Sequence, residues 1–226
     1  TVYSTKNKKI IFKYNFYKKK YKKIKKDLNF IVENNIVYVG DNLGYLYALD
    51  YIEKKLLWAQ DYKIPFRSNI KISGKKLLIV DTNNSLYLIN KVNGEKLKII
   101  PTEETLIKNE FINSLASNND FIFLLNTFGS VYSINNNGQV RWFSNLNQSM
   151  DINSSNLFSS KPLVLHQNKL FISTNFYLYI LDINTGATLF KIAISSLISP
   201  IISGDNLFLI SKDNLLICLD VKTNEV

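Results

Sequence analysis

Short apolar runs alternate with short polar breaks along nearly the whole chain, and the alternation repeats. Five segments share one pattern: an apolar run, a polar turn, a second apolar run, then Asp or Asn. They are IVYVGDNLGYLYALD (36–50), LLIVDTNNSLYLIN (77–90), FIFLLNTFGSVYSIN (121–135), LFISTNFYLYILD (170–182) and LFLISKDNLLICLD (207–220). Their closing residues, Asp50, Asn90, Asn135, Asp182 and Asp220, stand 40, 45, 47 and 38 residues apart. Runs of this length, rich in β-branched and aromatic residues and punctuated by Asn, Asp and Gly, predict antiparallel strands. No window carries a sustained helical period.

Each pair of runs has flanking apolar stretches. LNFIVE, NIKIS, INSLAS, PLVLH and SPIIS precede the five pairs, and KLLWAQ, KLKII, QVRWF and TLFKIA follow the first four. The pattern therefore predicts four short strands in every repeat of about 40 residues. One such unit cannot bury both faces alone, but copies packed face to face around an axis can. The expected fold is all-β, a β-propeller of four-stranded antiparallel blades with about five repeats. The expected divisions of a single domain over 1–226 are 1–26 (the end of a preceding blade), 27–63, 64–105, 106–148, 149–194 and 195–226, the last incomplete. KKIIFKYNFY reads as a final strand whose blade began earlier, and DVKTNEV stops where a fourth strand should start. The expectation is a piece of a seven- or eight-bladed ring, with two open edges.

The closing acids and amides have a structural explanation. Gly94, Gly138 and Gly186 follow three of them and Asn224 follows the fifth, while Lys54 stands at that place in the first. An Asx side chain that bonds nearby backbone N–H, followed by a residue able to adopt positive φ, is the chemistry of a tight turn. A role repeated in every blade argues against unique catalysis. An aromatic slot lies further on: Trp58 is eight residues after Asp50, with Trp142 and Phe190 equivalent in the third and fourth repeats and Lys98 departing in the second. These outer-strand aromatics are expected to dock each blade on the next.

Composition modifies this picture in two places. The net charge of +10 is local: residues 6–26 hold eleven of the 28 basic residues and no acid, leaving 17 basic against 18 acidic elsewhere. The segment's alternation fits a strand with one wet face that runs into an exposed inter-blade loop. Its interleaved Phe and Tyr also leave open a patch for acidic partners or anionic headgroups; a nucleic-acid role is not expected. Candidate chemistry is sparse. The single Cys218 allows no internal disulfide and no cysteine-cluster metal site. Aligned with Tyr47, Tyr87, Tyr132 and Tyr179, it is expected to be a small packed side chain. The lone His166 has no sequence partner for a metal or a nucleophile, and the eight glycines form no phosphate loop. No apolar run is long enough to cross a bilayer as a helix. The expectation is no enzyme activity, no cofactor, no metal and no small-molecule substrate.

The LYALD run, its turn and Trp58 resemble the repeat of quinoprotein-type (PQQ-like) propellers, and the resemblance extends over essentially the whole chain. Within that group the chain is most similar to the BamB family of outer membrane assembly factors. That resemblance implies a non-enzymatic periplasmic scaffold, associated with the outer membrane through a lipid anchor outside this segment. It implies assistance to β-barrel insertion by docking on the POTRA domains of a BamA-like protein. Family contacts on loops entering adjacent inner strands map to Phe66, Arg67 and Ser68 in KIPFRSN and to Glu110 in LIKNEF; the family's second acid has no match here. The other reading is a fragment of a PQQ-dependent dehydrogenase. That group holds quinone and calcium at the ring axis, often beneath a vicinal disulfide that a single cysteine cannot make.

Overall fold

The computed structural model describes residues 1–21, 23–105, 113–147 and 158–225. A hairpin of β1 (Val2–Ser4) and β2 (Lys9–Phe12) precedes the first sheet. That sheet contains β3 (Leu28–Glu33), β4 (Ile36–Asp41), β5 (Tyr45–Asp50) and β6 (Lys55–Asp61). The second contains β7 (Lys71–Ser73), β8 (Lys76–Val80), β9 (Leu86–Asn90) and β10 (Lys96–Ile100). The third contains β11 (Ser114–Ser117), β12 (Phe121–Leu125), β13 (Ser130–Asn135) and β14 (Val140–Asn145). The fourth contains β15 (Val164–His166), β16 (Lys169–Ser173), β17 (Leu178–Asp182) and β18 (Thr188–Ile192). The last sheet has three strands, β19 (Ile201–Ser203), β20 (Asn206–Ile210) and β21 (Leu216–Asp220). Within every sheet the strands lie in chain order and pair antiparallel. The architecture is a partial β-propeller.

Strand composition follows depth. β8, β12 and β16 each bury four consecutive residues, so both of their faces are covered. The outer β6 alternates between partly buried and exposed side chains. Apolar layers fill the gaps between successive blades. Leu46 and Ala48 of the first meet Leu77 and Ile79 of the second; Leu88 of the second meets Ile122 of the third. Phe123 of the third meets Leu170 and Leu181 of the fourth, and Ile180 of the fourth meets Leu207 and Leu219 of the last. Each fully buried Leu or Ile contributes roughly 1.5–3 kcal/mol through water exclusion. The first strands lie side by side toward the axis, where Ser68 and Asn113 form a parallel bridge.

The basic segment departs from its sequence expectation. Its strand stops at Phe12 instead of continuing through the lysines, and residues 13–18 are irregular before a short 3-10 turn, Lys19–Tyr21. The hairpin occupies the place of the third and fourth strands of a blade. Trp58 and Tyr62, four residues apart, both pack in the layer below Tyr87. Phe12 and Phe16 have the same spacing and pack on Tyr47, with the Phe16 and Tyr47 rings stacked at 4.3 Å.

The hairpin covers only the β4–β5 part of the first sheet's outer face, and the far face of the last sheet is open. Leu28, Phe30 and Val32 on β3 are exposed, Phe30 to 69%. On the last sheet Ile201 and Leu216 are exposed to 65% and 73%.

Candidate functional site

Two rims bound the stack. The lower rim carries the closing-acid turns between third and fourth strands. The upper rim carries the turns between second and third strands and the connections from blade to blade.

On the lower rim, every closing side chain accepts backbone N–H groups. Asp50 Oδ1 accepts from Ile52 and Glu53, each at 2.9 Å, and Asn90 Oδ1 accepts from Val92 at 2.9 Å. Asn135 Oδ1 accepts from Asn137 and Gln139, each at 3.0 Å. Asp182 Oδ1 accepts from Asn184 and Thr185, and Asp220 Oδ1 from Lys222 and Thr223. The N–H of Thr185 and that of Thr223 are foremost in holding the Asp182 and Asp220 carboxyls below the usual range. Gly94, Gly138, Gly186 and Asn224 all take positive φ, and so does Lys54, at 55°. The first repeat thus departs in residue type and keeps the geometry.

The residues just after the second to fifth closing positions, Lys91, Asn136, Ile183 and Val221, each present a carbonyl to the neighbouring blade. Trp58 Nε1 donates to Lys91 O at 3.1 Å and Trp142 Nε1 to Ile183 O at 2.9 Å. Where the slot holds Lys98 or Phe190, a lysine at the start of a second strand substitutes. Lys76 Nζ donates to Asn136 O and Lys169 Nζ to Val221 O, both at 2.5 Å. Lys98 itself reaches Asn137 O at 2.8 Å, and Phe190 packs in the fourth apolar layer. Both indoles lie against glycine: a Cβ on Gly94 or on Gly186 would stand 2.5 Å from Trp58 or Trp142.

A second series of turn-forming side chains, Asp, Asn, Thr or Ser, lies on the upper rim. Asp41, Asp81, Asn126, Thr174 and Ser211 end or follow the second strands, and their side chains accept N–H groups of the turn that follows. Their signal was present as VGD, VDT, LNT, STN and SKD.

Phe66, Arg67 and Ser68 also belong to the upper rim, but they are not displayed to solvent. Phe66 is 2% exposed and packs edge-on against Tyr62 and Tyr87. Arg67 is 8% exposed, and its Nη2 donates to Asn84 Oδ1 at 2.9 Å. Ser68 Oγ accepts from Val80 N–H at 2.7 Å and donates to Asn69 O at 2.9 Å. Phe66 thus tucks under its blade, and Arg67 is buried beside it instead of solvated: the connection folds inward because the layer below takes the Phe66 ring. Glu110 lies outside the described residues.

Asn84 is the hub of this buried polar cluster. Fully buried and at φ 66°, it also accepts from Asn113 Nδ2 at 3.1 Å and donates to Glu103 O at 2.9 Å and Thr127 Oγ1 at 3.1 Å. The hub joins the second and third blades. Burial pushes the Arg67 pKa down, opposed by Asp81, and burial pushes the Asp81 carboxyl up, opposed by the N–H groups of Ser85 and Asn83.

Cys218 is another correction. It is exposed on the outer face of the last sheet. The four tyrosines stand three residues before their closing acid or amide, and the residue at that place in the fifth repeat is Ile217. Cys218, one position later, points to the opposite face, as strand alternation requires. His166 ends β15 and pairs with Lys169 across the turn. Among the described residues no group of three or more His, Cys, Asp or Glu side chains could hold a metal ion. No described helix is long and apolar enough to cross a membrane.

Comparison with known proteins bears on what these rims serve. The family model for the outer membrane protein assembly factor BamB matches residues 18–226. No curated protein matches the chain by sequence. Among solved structures, BamB from Moraxella catarrhalis superposes with a TM-score of 0.73 at 16% identity, covering 88% of this chain and 62% of that one. The computationally designed Ika8 protein gives 0.67 at 12% identity, over 84% of this chain and 57% of the other. Sqt1 from Saccharomyces cerevisiae gives 0.66 at 14% identity, over 86% and 59%. At these identities the superpositions show the fold alone, and the chain spans less than two thirds of each of those structures.

Proposed function

The chain belongs to the outer membrane protein assembly factor BamB family, and from that premise we propose that it is a non-enzymatic, protein-binding scaffold for β-barrel assembly at the outer membrane. Its partner is the periplasmic POTRA region of a BamA-like protein, and its compartment is the periplasm. The observation that carries this is the family match over residues 18–226. The residue chemistry agrees with it. The acids and amides singled out as turn-formers are engaged in turns, and the buried polar groups at Asn84 join blade to blade. The contact surface is the upper rim around the 62–68 connection. Phe66, Arg67 and Ser68 shape that connection from beneath, while Lys63 and Pro65 face solvent.

The test is calorimetric titration of the full-length protein with the POTRA region from the same organism. A Kd in the micromolar range or tighter, weakened about tenfold (about 1.4 kcal/mol) by Lys63→Glu, supports the reading and places the contact. A well-folded protein that does not bind removes it. Arg67→Glu is a poor probe, because a buried acid at the Asn84 hub would unsettle the blades themselves.

A further inference from the structure

Residues 18–26, KKKYKKIKK, hold seven lysines in nine positions. Its described residues, 18–21 and 23–26, do not trail free. The Tyr17 hydroxyl donates to Asp41 Oδ2 at 2.6 Å, and the hydroxyls of Tyr21 and Tyr45 share a hydrogen bond at 3.0 Å. Asn42 clamps the far end: its side chain accepts from Asp27 N–H at 3.0 Å, and its backbone N–H donates to Asp27 O at 3.3 Å. Phe16 stacks on Tyr47 and meets Tyr17 and Tyr45 edge-on, each at 5.3 Å. The stretch is thereby fastened to the upper rim of the first blade.

This fastening divides the residue types. Phe16, Tyr17 and Tyr21 turn inward, while Lys18, Lys19, Lys23 and Lys25 are exposed. Of the acids nearby, Asp41 and Asp61 are engaged by other groups, and Asp27 offsets a single lysine. Asp41 accepts from Tyr17 and from the turn N–H groups, Asp61 pairs with Lys63 at 2.5 Å, and Asp27 stands 3.6 Å from Lys25. Amid the lysines, Ile24 is 45% exposed. Basic side chains around an exposed aliphatic one, on a turn fastened to the rim, suit the boundary of an anionic bilayer: lysines meet headgroup phosphates and the aliphatic group enters the interface. Single-stranded nucleic acid would need free aromatic faces for stacking, and the aromatic contacts here are made within the rim.

We propose that the described residues of this turn, 18–21 and 23–26, form a docking surface for membranes rich in anionic phospholipid, with Lys18, Lys19, Lys23 and Lys25 as the headgroup contacts and Ile24 as the inserted side chain. This inference rests on the rim's own geometry and stands apart from the assembly role.

The experiment is co-sedimentation of the full-length protein with vesicles of phosphatidylcholine alone or mixed with phosphatidylglycerol. Binding to the mixed vesicles alone is expected, falling as salt is raised. Replacing Lys18, Lys19, Lys23 and Lys25 together by Gln should weaken it at least tenfold. Replacing the exposed Lys6, Lys8, Lys55 and Lys75 by Gln changes net charge equally and should weaken it far less. Ile24→Ser should weaken binding severalfold and leave its salt dependence unchanged. All substituted side chains are exposed, so unaltered thermal melting checks that each variant is folded. No binding to mixed vesicles, or equal losses in the two quadruple variants, would overturn the proposal. So would tighter binding to single-stranded RNA or to polyglutamate than to the vesicles.

Discussion

Blades one and two are joined differently from blades two and three. At the first joint, Trp58 lies on Gly94 and its indole N–H meets the Lys91 carbonyl. At the second, the same slot holds Lys98, and the equivalent carbonyl, of Asn136, is met by Lys76 from another strand. The pattern recurs with Trp142 at the third joint and Lys169 at the fourth. A buried carbonyl without a donor costs about 1–3 kcal/mol, so the invariant requirement is a donor, not a tryptophan. The indole supplies donor and apolar bulk in one side chain; the lysine supplies the donor and leaves the packing to its neighbours.

The comparison breaks most sharply at Trp142. Trp142→Ala should destabilise the full-length protein by about 3–5 kcal/mol, read as a shift in the urea midpoint. Gly186→Ala should come next, at roughly 2–4 kcal/mol, because its Cβ meets a ring face that cannot move aside. Gly138→Ala should cost less, because its Cβ meets the tips of Lys98 and Ile100, 2.9 Å away but able to swing. Lys76→Met and Lys169→Met should each cost about 1–2 kcal/mol, the loss of one donor with the stem retained. Lys54→Gly should stabilise by about 0.5–1 kcal/mol, since Lys54 holds a left-handed φ that glycine adopts without strain.

Acid titration separates the blades in another way. The folded-state pKa of Asp182 is lowered, so its contribution is present above the unfolded pKa and is lost as pH falls through the folded value. Asp81 on the upper rim is raised, so its ionisation opposes folding, and protonation as pH falls relieves it. Between neutral pH and about pH 3, Asp182→Asn should flatten the acid-side fall in stability and Asp81→Asn should steepen it. Equal pH profiles for the two variants would show that neither carboxyl is perturbed in the sense given.

The fold was legible because its information is repeated. A period near 40 residues, a strand pattern of apolar runs and an Asx at each turn are local signals, and five copies reinforce one another. The aromatic slot at Trp58 and Trp142 was equally readable. The substitute donors Lys76 and Lys169 were not, because they sit outside the slot that the repeat marks. Arg67 misled for a related reason. An arginine in a Pro-containing connection reads as exposed, and what buries it is Asn84, seventeen residues away and at positive φ. Cys218 was misassigned by a one-residue slip, and in a strand that slip exchanges the two faces.

Every sheet is assembled from strands in chain order, and each blade touches the one before it. Growth can therefore proceed like a zipper: a completed blade offers the next an apolar template, and in the five sheets from β3 to β21 each strand pairs with its neighbour in sequence. Search times stay short because the loops to be closed are short. A chain that emerges in one direction, from a ribosome or through a translocation pore, can bank each blade as it appears and expose no more than one unfinished face at the growing end.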